Sequence, residues 1–242
     1  MIGWLKRQGN ANQDSQSLSN PTEVAISEPF PRITESWLSR LTMILSGLER
    51  EGSLPIAVAL LSSIAREGVS TVTVNLAHEI VRTLGWRVLL LDANLAAPAL
   101  HRISTKTQGP GLGNVLRKEV GLDAAIEELT GRNIGLIRTG SYFERDLVTL
   151  FSRDAITKII SAIDPARWDI VLLDCPPLLA HPGSAVIAAQ TDAAILIVQA
   201  EKTRLQVAGK ALENLRAQNA EVLGVILNRV NFYVPGWLYR HL

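Results

Sequence analysis

Three polar turns, each at the end of an apolar run, carry the side chains of this sequence that could do chemistry. The turn "REGVST" places Gly68 beside two hydroxyl residues, Ser70 and Thr71. Farther along the chain, Asp92 ends the run "VLLLD" and Asp174 ends the run "IVLLD". A glycine turn that opens a helix presents free amides to an anion, and paired carboxylates hold hydrated Mg²⁺. Together the three turns predict a site for nucleotide phosphates and magnesium.

Each turn taken alone also has an ordinary structural explanation. A turn such as "REGVST" is typical of a capped helix after a strand, and a lone aspartate at a strand end is usually a helix cap or a turn former. The nucleotide site therefore depends on the combination of the three turns. One residue departs from a complete phosphate loop, because Val69 stands where the lysine that reaches the β and γ phosphates is expected.

Apolar runs that alternate with helix-period segments predict the elements that position these turns. The runs span residues 55–63, 87–93, 134–140, 169–177, 192–200 and 221–230. Helices are predicted over residues 70–84, 154–163, 184–189 and 205–218. Near-continuous apolar strands are buried on both faces, so the sequence predicts an α/β fold with a mostly parallel sheet flanked by helices on both faces. Ligands of such sheets bind at the carboxyl ends of the strands, where all three turns lie.

Composition divides the chain into a body and two flanking segments. Residues 1–33 are rich in Asn, Gln, Ser and Pro, which predicts a mobile tail, and residues 34–230 form the domain. A helix is predicted from Glu35, with Trp37, Leu38, Leu41, Ile44, Leu45 and Leu48 on one face. That face packs on the body or contacts another subunit, and both alternatives stay open. Residues 231–242 are predicted to pack on the domain or to dock a partner.

Charge and cysteine content exclude several classes of protein. The formal net charge of +1 supplies no basic field for nucleic acid. One cysteine excludes an internal disulfide framework, and the histidines have no metal-ligand spacing with it. The apolar runs are far shorter than the roughly 20 residues of a membrane span, and the amino terminus lacks a secretory signal. We expect a cytoplasmic protein without a transmembrane segment.

Several long stretches together resemble a known family. They include "REGVSTVTVNLAHEIVRTLGWRVLLLDANLAAPALHRI", "DIVLLDCPPLLAHPGSAVIAAQTDAAILIVQAEKTR" and "LENLRAQNAEVLGVILNRV". The chain resembles, over roughly residues 35–230, the cytoplasmic tyrosine autokinases of bacterial capsule and exopolysaccharide systems, which are relatives of the partitioning and septum-site ATPases. In that family the three turns typically read PGEGKST, DADLRRP and DTPP. The resemblance implies a P-loop NTPase fold that binds ATP or ADP with Mg²⁺ between these turns.

The resemblance also implies roles for individual residues. It places the phosphate-binding loop at Arg66, Glu67, Gly68, Val69, Ser70 and Thr71. It assigns magnesium to Ser70, Asp92 and Asp174, with Asp92 also catalytic if the protein is active. Asn228 falls where relatives contact the base, and the helix from Glu35 resembles the stretch through which relatives assemble into rings.

Departures from the family motifs all remove charge or backbone freedom from one place. Val69 replaces the lysine, Arg66 replaces a glycine, Asn94 replaces the second acid, and Ala96 and Ala97 replace an arginine pair. A charge-assisted hydrogen bond contributes about 1.5–3 kcal/mol, so losing the lysine alone weakens phosphate binding by roughly one to two powers of ten. We therefore expect weakened or lost nucleotide binding and little or no kinase turnover, unless Arg66 substitutes for the lysine.

The carboxyl-terminal residues depart from the family as well. Autokinases of this type end in a tyrosine cluster that accepts phosphate, whereas this chain ends "NFYVPGWLYRHL" with Tyr233 and Tyr239 alone. Two tyrosines around Pro-Gly-Trp favour a docked amphipathic segment, in which the aromatic rings are packed and the hydroxyl groups contact water. Phosphorylation of either tyrosine remains the alternative.

The expected function is that of a regulatory or structural subunit in polysaccharide synthesis and export. The expected partner is a membrane-anchored chain-length (co-polymerase) protein or an active homologous kinase, reached from the inner face of the membrane. One alternative is an active ATP-dependent tyrosine kinase that uses Arg66. The other is a positioning ATPase that dimerises with ATP, and Ile64 argues against it because the signature lysine of that class is missing there.

Overall fold

The computed structural model describes residues 30, 33, 36–48, 55–129 and 133–230. Most of the predicted tail 1–33, Glu35 and the whole segment 231–242, with Tyr233 and Tyr239, lie outside the described residues. Within the predicted tail, Phe30 is buried under the guanidinium of Arg102, and the amide of Ile33 donates a hydrogen bond of 2.8 Å to Asn75. These two residues contact the domain.

Seven strands in the described residues form one sheet. They are β1 (Ile56–Ser62), β2 (Val88–Asp92), β3 (Ile126–Leu129), β4 (Ile134–Ile137), β5 (Ile170–Asp174), β6 (Ala193–Gln199) and β7 (Val222–Asn228). Their spatial order is β3-β4-β2-β5-β1-β6-β7, and every pair is parallel except β3 with β4. The predicted mostly parallel sheet is confirmed. The short edge strand β3 is missing from the sequence prediction because its Glu127 interrupts the apolar pattern.

Eight α-helices connect or flank the strands in the described residues. They are α1 (Ser36–Ser46), α2 (Val69–Leu84), α3 (Leu112–Leu116), α4 (Leu122–Ala125), α5 (Glu144–Leu150), α6 (Ala155–Ser161), α7 (Ser184–Ala188) and α8 (Leu205–Ala217), with a 3₁₀ turn at Leu100–Ile103. The sequence predicts α2, α6, α7 and α8 to within a few residues and leaves out α3, α4 and α5. In the part of the chain described, no helix combines the length and the apolar character that crossing a membrane requires.

Each face of the sheet has its own apolar core, as near-continuous apolar strands predict. Along β1, Ala57, Ala59 and Leu61 face one core with helices α6, α7 and α8. The alternate residues Val58 and Leu60 face the other core with α1 and α2. Strand side chains alternate in direction, so a strand that is apolar throughout must be covered on both sides. This double cover fixes the strand ends in space.

Helix α1 packs on α2 but exposes part of its apolar face. Leu38 and Leu45 are buried, at 3% and 0% exposure, and Ser39 donates a hydrogen bond of 2.6 Å to Glu79 of α2. Ile44, predicted on the same face, is 57% exposed. Part of the predicted apolar face thus packs on the body, while Ile44 does not, because the apolar stripe of α1 is wider than the surface that α2 and the sheet offer it.

Candidate nucleotide and magnesium site

The sheet brings the three predicted turns together. Strand β5 lies between β1 and β2, so Asp174 is in register with both Leu60 and Asp92. The amide of Ala93 donates to the carbonyl of Asp174 at 3.0 Å, and the third turn is tied to the first through Leu178 N–H and Ser62 O at 2.9 Å. The two aspartates therefore share one rim with the phosphate loop, as the sequence predicts.

The loop before α2 has the form of an anion cradle. Gly68 has φ +99°, and a β-carbon there would lie 2.2 Å from Nδ2 of Asn228, so only glycine fits. The first intrahelical bond runs from the amide of Val72 to the carbonyl of Gly68 at 3.0 Å. The amides of residues 69–71 thus precede the helical ladder and carry the positive end of the helix dipole. This geometry suits a phosphate group.

Val69 supplies no charge to that cradle. It is the first residue of α2, is 8% exposed, and belongs to the apolar core shared by α2 and the sheet. Among the described residues, no lysine or arginine makes a hydrogen bond or ion pair with Asp92 or Asp174. The backbone of a phosphate loop is therefore present without the cation that usually accompanies it.

Arg66 occupies the tip of the loop in a conformation that favours glycine. Its φ is +71°, and its side chain is exposed. A residue with a β-carbon in the left-handed region costs about 1–2 kcal/mol relative to the right-handed one. The loop thus keeps the backbone shape of a glycine-containing loop although its sequence has an arginine.

Replacing Arg66 with glycine is expected to raise the free energy of unfolding by about 0.5–1 kcal/mol. The relief of left-handed strain exceeds the extra entropy that glycine gives the unfolded chain. Chemical denaturation measures the change. Ala65→Gly is the matched control, since Ala65 is exposed in the same loop but has no positive φ, and it should lower the stability. Equal destabilisation by both substitutions would contradict the assignment of strain to Arg66.

The buried side chain of Glu67 stabilises the phosphate loop from the protein interior and does not face a ligand. It is 1% exposed, and its carboxylate accepts hydrogen bonds from the amides of Ile64 at 2.8 Å and Gln199 at 3.2 Å and from the hydroxyl of Thr203. The loop after β6 is thus part of the site, which sequence reasoning missed. The signal was available, because "QAEKTR" follows another parallel strand that ends at the same edge of the sheet.

Asn228, predicted to contact a base, lies against the phosphate loop at the end of β7. Its Nδ2 donates to the carbonyl of Glu67 at 2.9 Å, and its Oδ1 accepts the amide of Arg229 at 2.9 Å. Thr71 lies in the first turn of α2, where its carbonyl accepts from the side chain of Asn75 at 2.8 Å. The structure therefore brings Asn228 to the loop, while its contact with a base stays a prediction.

Asp92 is buried and held by its own loop. Its carboxylate accepts hydrogen bonds from the amides of Leu100 at 2.9 Å, Ala99 at 3.1 Å and Asn94 at 3.3 Å. Burial raises the pKa of Asp92 to about 7, and the three amides act against that rise. The loop that carries Ala96 and Ala97 in place of the family's arginines thus folds around Asp92 without their charges.

Asp174 is the less satisfied of the two carboxylates. It is fully buried, and neither oxygen has a hydrogen-bond partner of good geometry in the described part of the chain. Burial, followed by the charge of Asp92, raises the pKa of Asp174 well above its usual value, and the nearby Ser70 hydroxyl lowers it by less. A buried carboxylate without partners is costly unless a proton or a cation compensates it.

This donor set fits a magnesium ion. Mg²⁺ prefers oxygen ligands and keeps several waters, so a hydroxyl and one or two carboxylates suffice. Among the described residues the Asp174 oxygens have no hydrogen-bond partner of good geometry and the Ser70 hydroxyl lies near them, whereas the oxygens of Asp92 are already engaged by amides. Asp174 and Ser70 would therefore hold the ion or its waters most directly. The bound ion would neutralise part of the phosphate charge. The described residues of this loop include no lysine that could do so.

Comparisons with known proteins agree with this geometry. A family model named ParA, described as NUBPL iron-transfer P-loop NTPase, matches residues 57–237, which is more than half of the chain. The structure is similar to the crystal structure of the VpsO kinase domain, with a TM-score of 0.69, 27% identity, and coverage of 79% of this chain and 92% of that one.

Homologous proteins include tyrosine-protein kinases. The chain is 27% identical over 206 residues to tyrosine-protein kinase YwqD of Bacillus subtilis, covering 85% of this chain and 84% of YwqD. It is 24% identical over 232 residues to succinoglycan biosynthesis transport protein ExoP of Rhizobium meliloti, covering 95% of this chain and 29% of ExoP. It also matches EpsB of Ralstonia nicotianae at 29% identity over 176 residues, 72% of this chain and 23% of that protein. The chain thus spans less than a third of these two longer relatives.

Proposed function

The chain belongs to the ParA family of P-loop NTPases, and we propose that it is a regulatory or structural subunit of exopolysaccharide or capsule production that has lost phosphoryl transfer. The names of its relatives support the pathway, since one is a tyrosine-protein kinase and another a succinoglycan biosynthesis transport protein. The phosphate loop supports the loss of transfer. Its backbone and the residues we propose as magnesium ligands are present, and Val69 stands at the position of its lysine.

The burial of Val69 is the observation that carries this proposal. Phosphoryl transfer depends on positioning and on positive charge near the transferred group, with little other chemistry for the protein to supply. Val69 is 8% exposed within the core, so its position supplies packing and no charge. Magnesium held by its ligands does not replace the lysine that normally contacts the phosphate oxygens and stabilises the transition state. Binding without turnover is the expected behaviour.

A protein with this site would act through recognition by another protein. The proposed partner is a membrane-anchored chain-length (co-polymerase) protein or an active homologous kinase. Support comes from ExoP, in which a region similar to 95% of this chain lies within a longer polysaccharide transport protein. We propose that this chain meets such a partner at the inner face of the membrane.

Incubation of the purified protein with Mg-ATP should yield no phosphotyrosine. The chain has three tyrosines, Tyr142, Tyr233 and Tyr239, and mass spectrometry would detect phosphate on any of them. Val69→Lys in the same assay shows whether a restored cation alone revives transfer. Tyrosine phosphorylation by the unmodified protein that disappears in Asp92→Ala would establish the active-kinase alternative.

A matched assay addresses the positioning-ATPase alternative. Light scattering with and without Mg-ATP measures the mass of the particle in solution. We expect no ATP-dependent change in mass, because Ile64 stands at the position of the signature lysine of that class. ATP-dependent dimerisation would contradict this expectation.

A further inference from the structure

An apolar groove remains open between α1 and the edge strand β7, on the side of the sheet opposite to β3. It has a volume of about 530 Å³. Its lining residues are Trp37, Arg40, Leu41, Ile44, Ile195, Leu223, Gly224, Val225, Ile226, Leu227 and Val230. All of them except Arg40 and Gly224 have apolar or aromatic side chains. The groove therefore suits an apolar peptide.

The exposed side chains along this groove are large. On the α1 side Ile44 is 57% exposed and the adjacent Met43 62%, and on the other face of the same sheet edge Val225 and Leu227 of β7 are 45% and 58% exposed. Strand β7 is an edge of the sheet, so its outer backbone groups have no strand partner among the described residues. Proteins normally cover or charge such an edge, since an open apolar edge pairs with other chains. A covering segment is thus expected.

The chain itself turns toward this groove where β7 ends. Arg229 follows β7 with φ +57°, and its amide is bonded to the side chain of Asn228 at 2.9 Å. This left-handed residue takes the backbone off the line of the strand. The next residue, Val230, already lines the groove. The following segment therefore starts inside the surface that needs a cover.

The composition of that segment matches the groove. Residues 231–242 read "NFYVPGWLYRHL" and include seven large apolar or aromatic side chains: Phe232, Tyr233, Val234, Trp237, Leu238, Tyr239 and Leu242. Twelve residues extend up to about 40 Å, whereas the seven residues of β7 span about 23 Å. The four residues before Pro235 reach about 13 Å along β7, and the six residues after the turn that Pro-Gly favours can return along α1.

We infer that residues 231–242 of the same chain occupy the groove between α1 and β7. This contact places the aromatic segment beside Asn228, which donates to the carbonyl of Glu67 in the phosphate loop. The carboxyl-terminal segment is thereby coupled to the loop through one strand end. A docked segment also keeps Tyr233 and Tyr239 away from any kinase. This inference holds whether or not the protein transfers phosphate.

Hydrogen–deuterium exchange on the full chain tests the inference. Amides of residues 231–242 should exchange at least about tenfold more slowly than in an unstructured peptide of the same sequence. Ile44→Asp and Ile226→Asp put a charge into the groove, since both residues line it on the α1 side of the sheet, and should abolish that protection. Val148→Asp is the matched control, because Val148 is 76% exposed outside the groove, and it should leave the protection intact.

The same experiment separates the other possible occupants. Protection that is unchanged over a hundredfold dilution belongs to the chain's own segment, whereas protection lost on dilution would assign the groove to a second copy and overturn the inference. Free exchange of residues 231–242 in the unmodified protein would also overturn it. So would protection that survives both groove substitutions. Ile44→Ser provides a milder groove variant if circular dichroism shows that an aspartate unfolds α1.

Discussion

Val69→Lys is expected to raise the affinity for Mg-ATP and Mg-ADP by at least tenfold. The first turn of α2 already presents free amides, and Asp174 has buried oxygens that would suit magnesium, so we infer that a cation is the missing part. A charge-assisted hydrogen bond contributes about 1.5–3 kcal/mol, which is roughly one to two powers of ten in the dissociation constant. A lysine at this position packs its aliphatic stem beside the core and extends its ammonium toward the phosphates. Calorimetric titration measures the gain.

Val69→Met is the matched control for this prediction. Methionine has a long, flexible side chain and no charge, so it reproduces the change of volume at the start of α2 without the cation. We expect no gain of affinity from it. A tenfold gain in both variants would trace the effect to loop packing. No gain in Val69→Lys would show that another feature, such as Arg66 in the loop, limits binding.

Asp174→Asn is expected to stabilise the magnesium-free protein at pH 8 by a few kcal/mol and to have little effect at pH 5. Asp174 is fully buried with no hydrogen-bond partner of good geometry among the described residues, and its pKa is raised chiefly by burial. At pH 8 folding must either bury the negative charge of Asp174 or bind a proton from a basic solution, and both lower the free energy of unfolding. Asparagine has the same shape and carries no charge, so this cost disappears.

The sign of the pH dependence follows from proton binding. The unfolded chain releases the proton of Asp92 near pH 4, whereas the native state keeps it up to about pH 7. Between these values the native state binds more protons, so stability falls as the pH rises. A pKa difference of about three units corresponds to on the order of 4 kcal/mol. Carboxylates with a lowered pKa, such as Asp169 and Glu79, change their contribution below this window and do not mask it.

Denaturation between pH 5 and pH 8, with and without Mg²⁺, measures this effect. Without magnesium the unmodified protein should lose stability as the pH rises, and magnesium should restore more of it at pH 8 than at pH 5. Asp123→Asn is the control, since the Asp123 side chain is 77% exposed and lies outside the site. A flat or rising profile in the magnesium-free protein, or equal rescue of Asp174→Asn by magnesium, would contradict the assignment.

The sequence predicts the fold and most of the rim of the site. The apolar runs have the length of one strand each, and they are too continuous to leave one face in solvent. They therefore require a sheet that is covered on both sides. Parallel strands then carry their following turns to one edge, so Gly68, Asp92 and Asp174 had to meet there. Local pattern is sufficient for these inferences because each depends on residues within one strand or turn. Strand β3 was not predicted because Glu127 is a polar residue at a buried position, where it forms an ion pair of 3.1 Å with Arg138.

The sequence by itself determined which chemical groups reach the carboxyl edge of the sheet, and that no lysine stands at Val69. Only the tertiary structure decided how these groups are engaged. Among the described residues it left Asp174 without a hydrogen-bond partner of good geometry while amides hold Asp92, and it joined Glu67 to Gln199, 132 residues away. Within the described part of the chain it also left the groove between α1 and β7 uncovered beside Val230. Burial and hydrogen bonding depend on neighbours that are distant along the chain, and local periodicity carries no information about such neighbours.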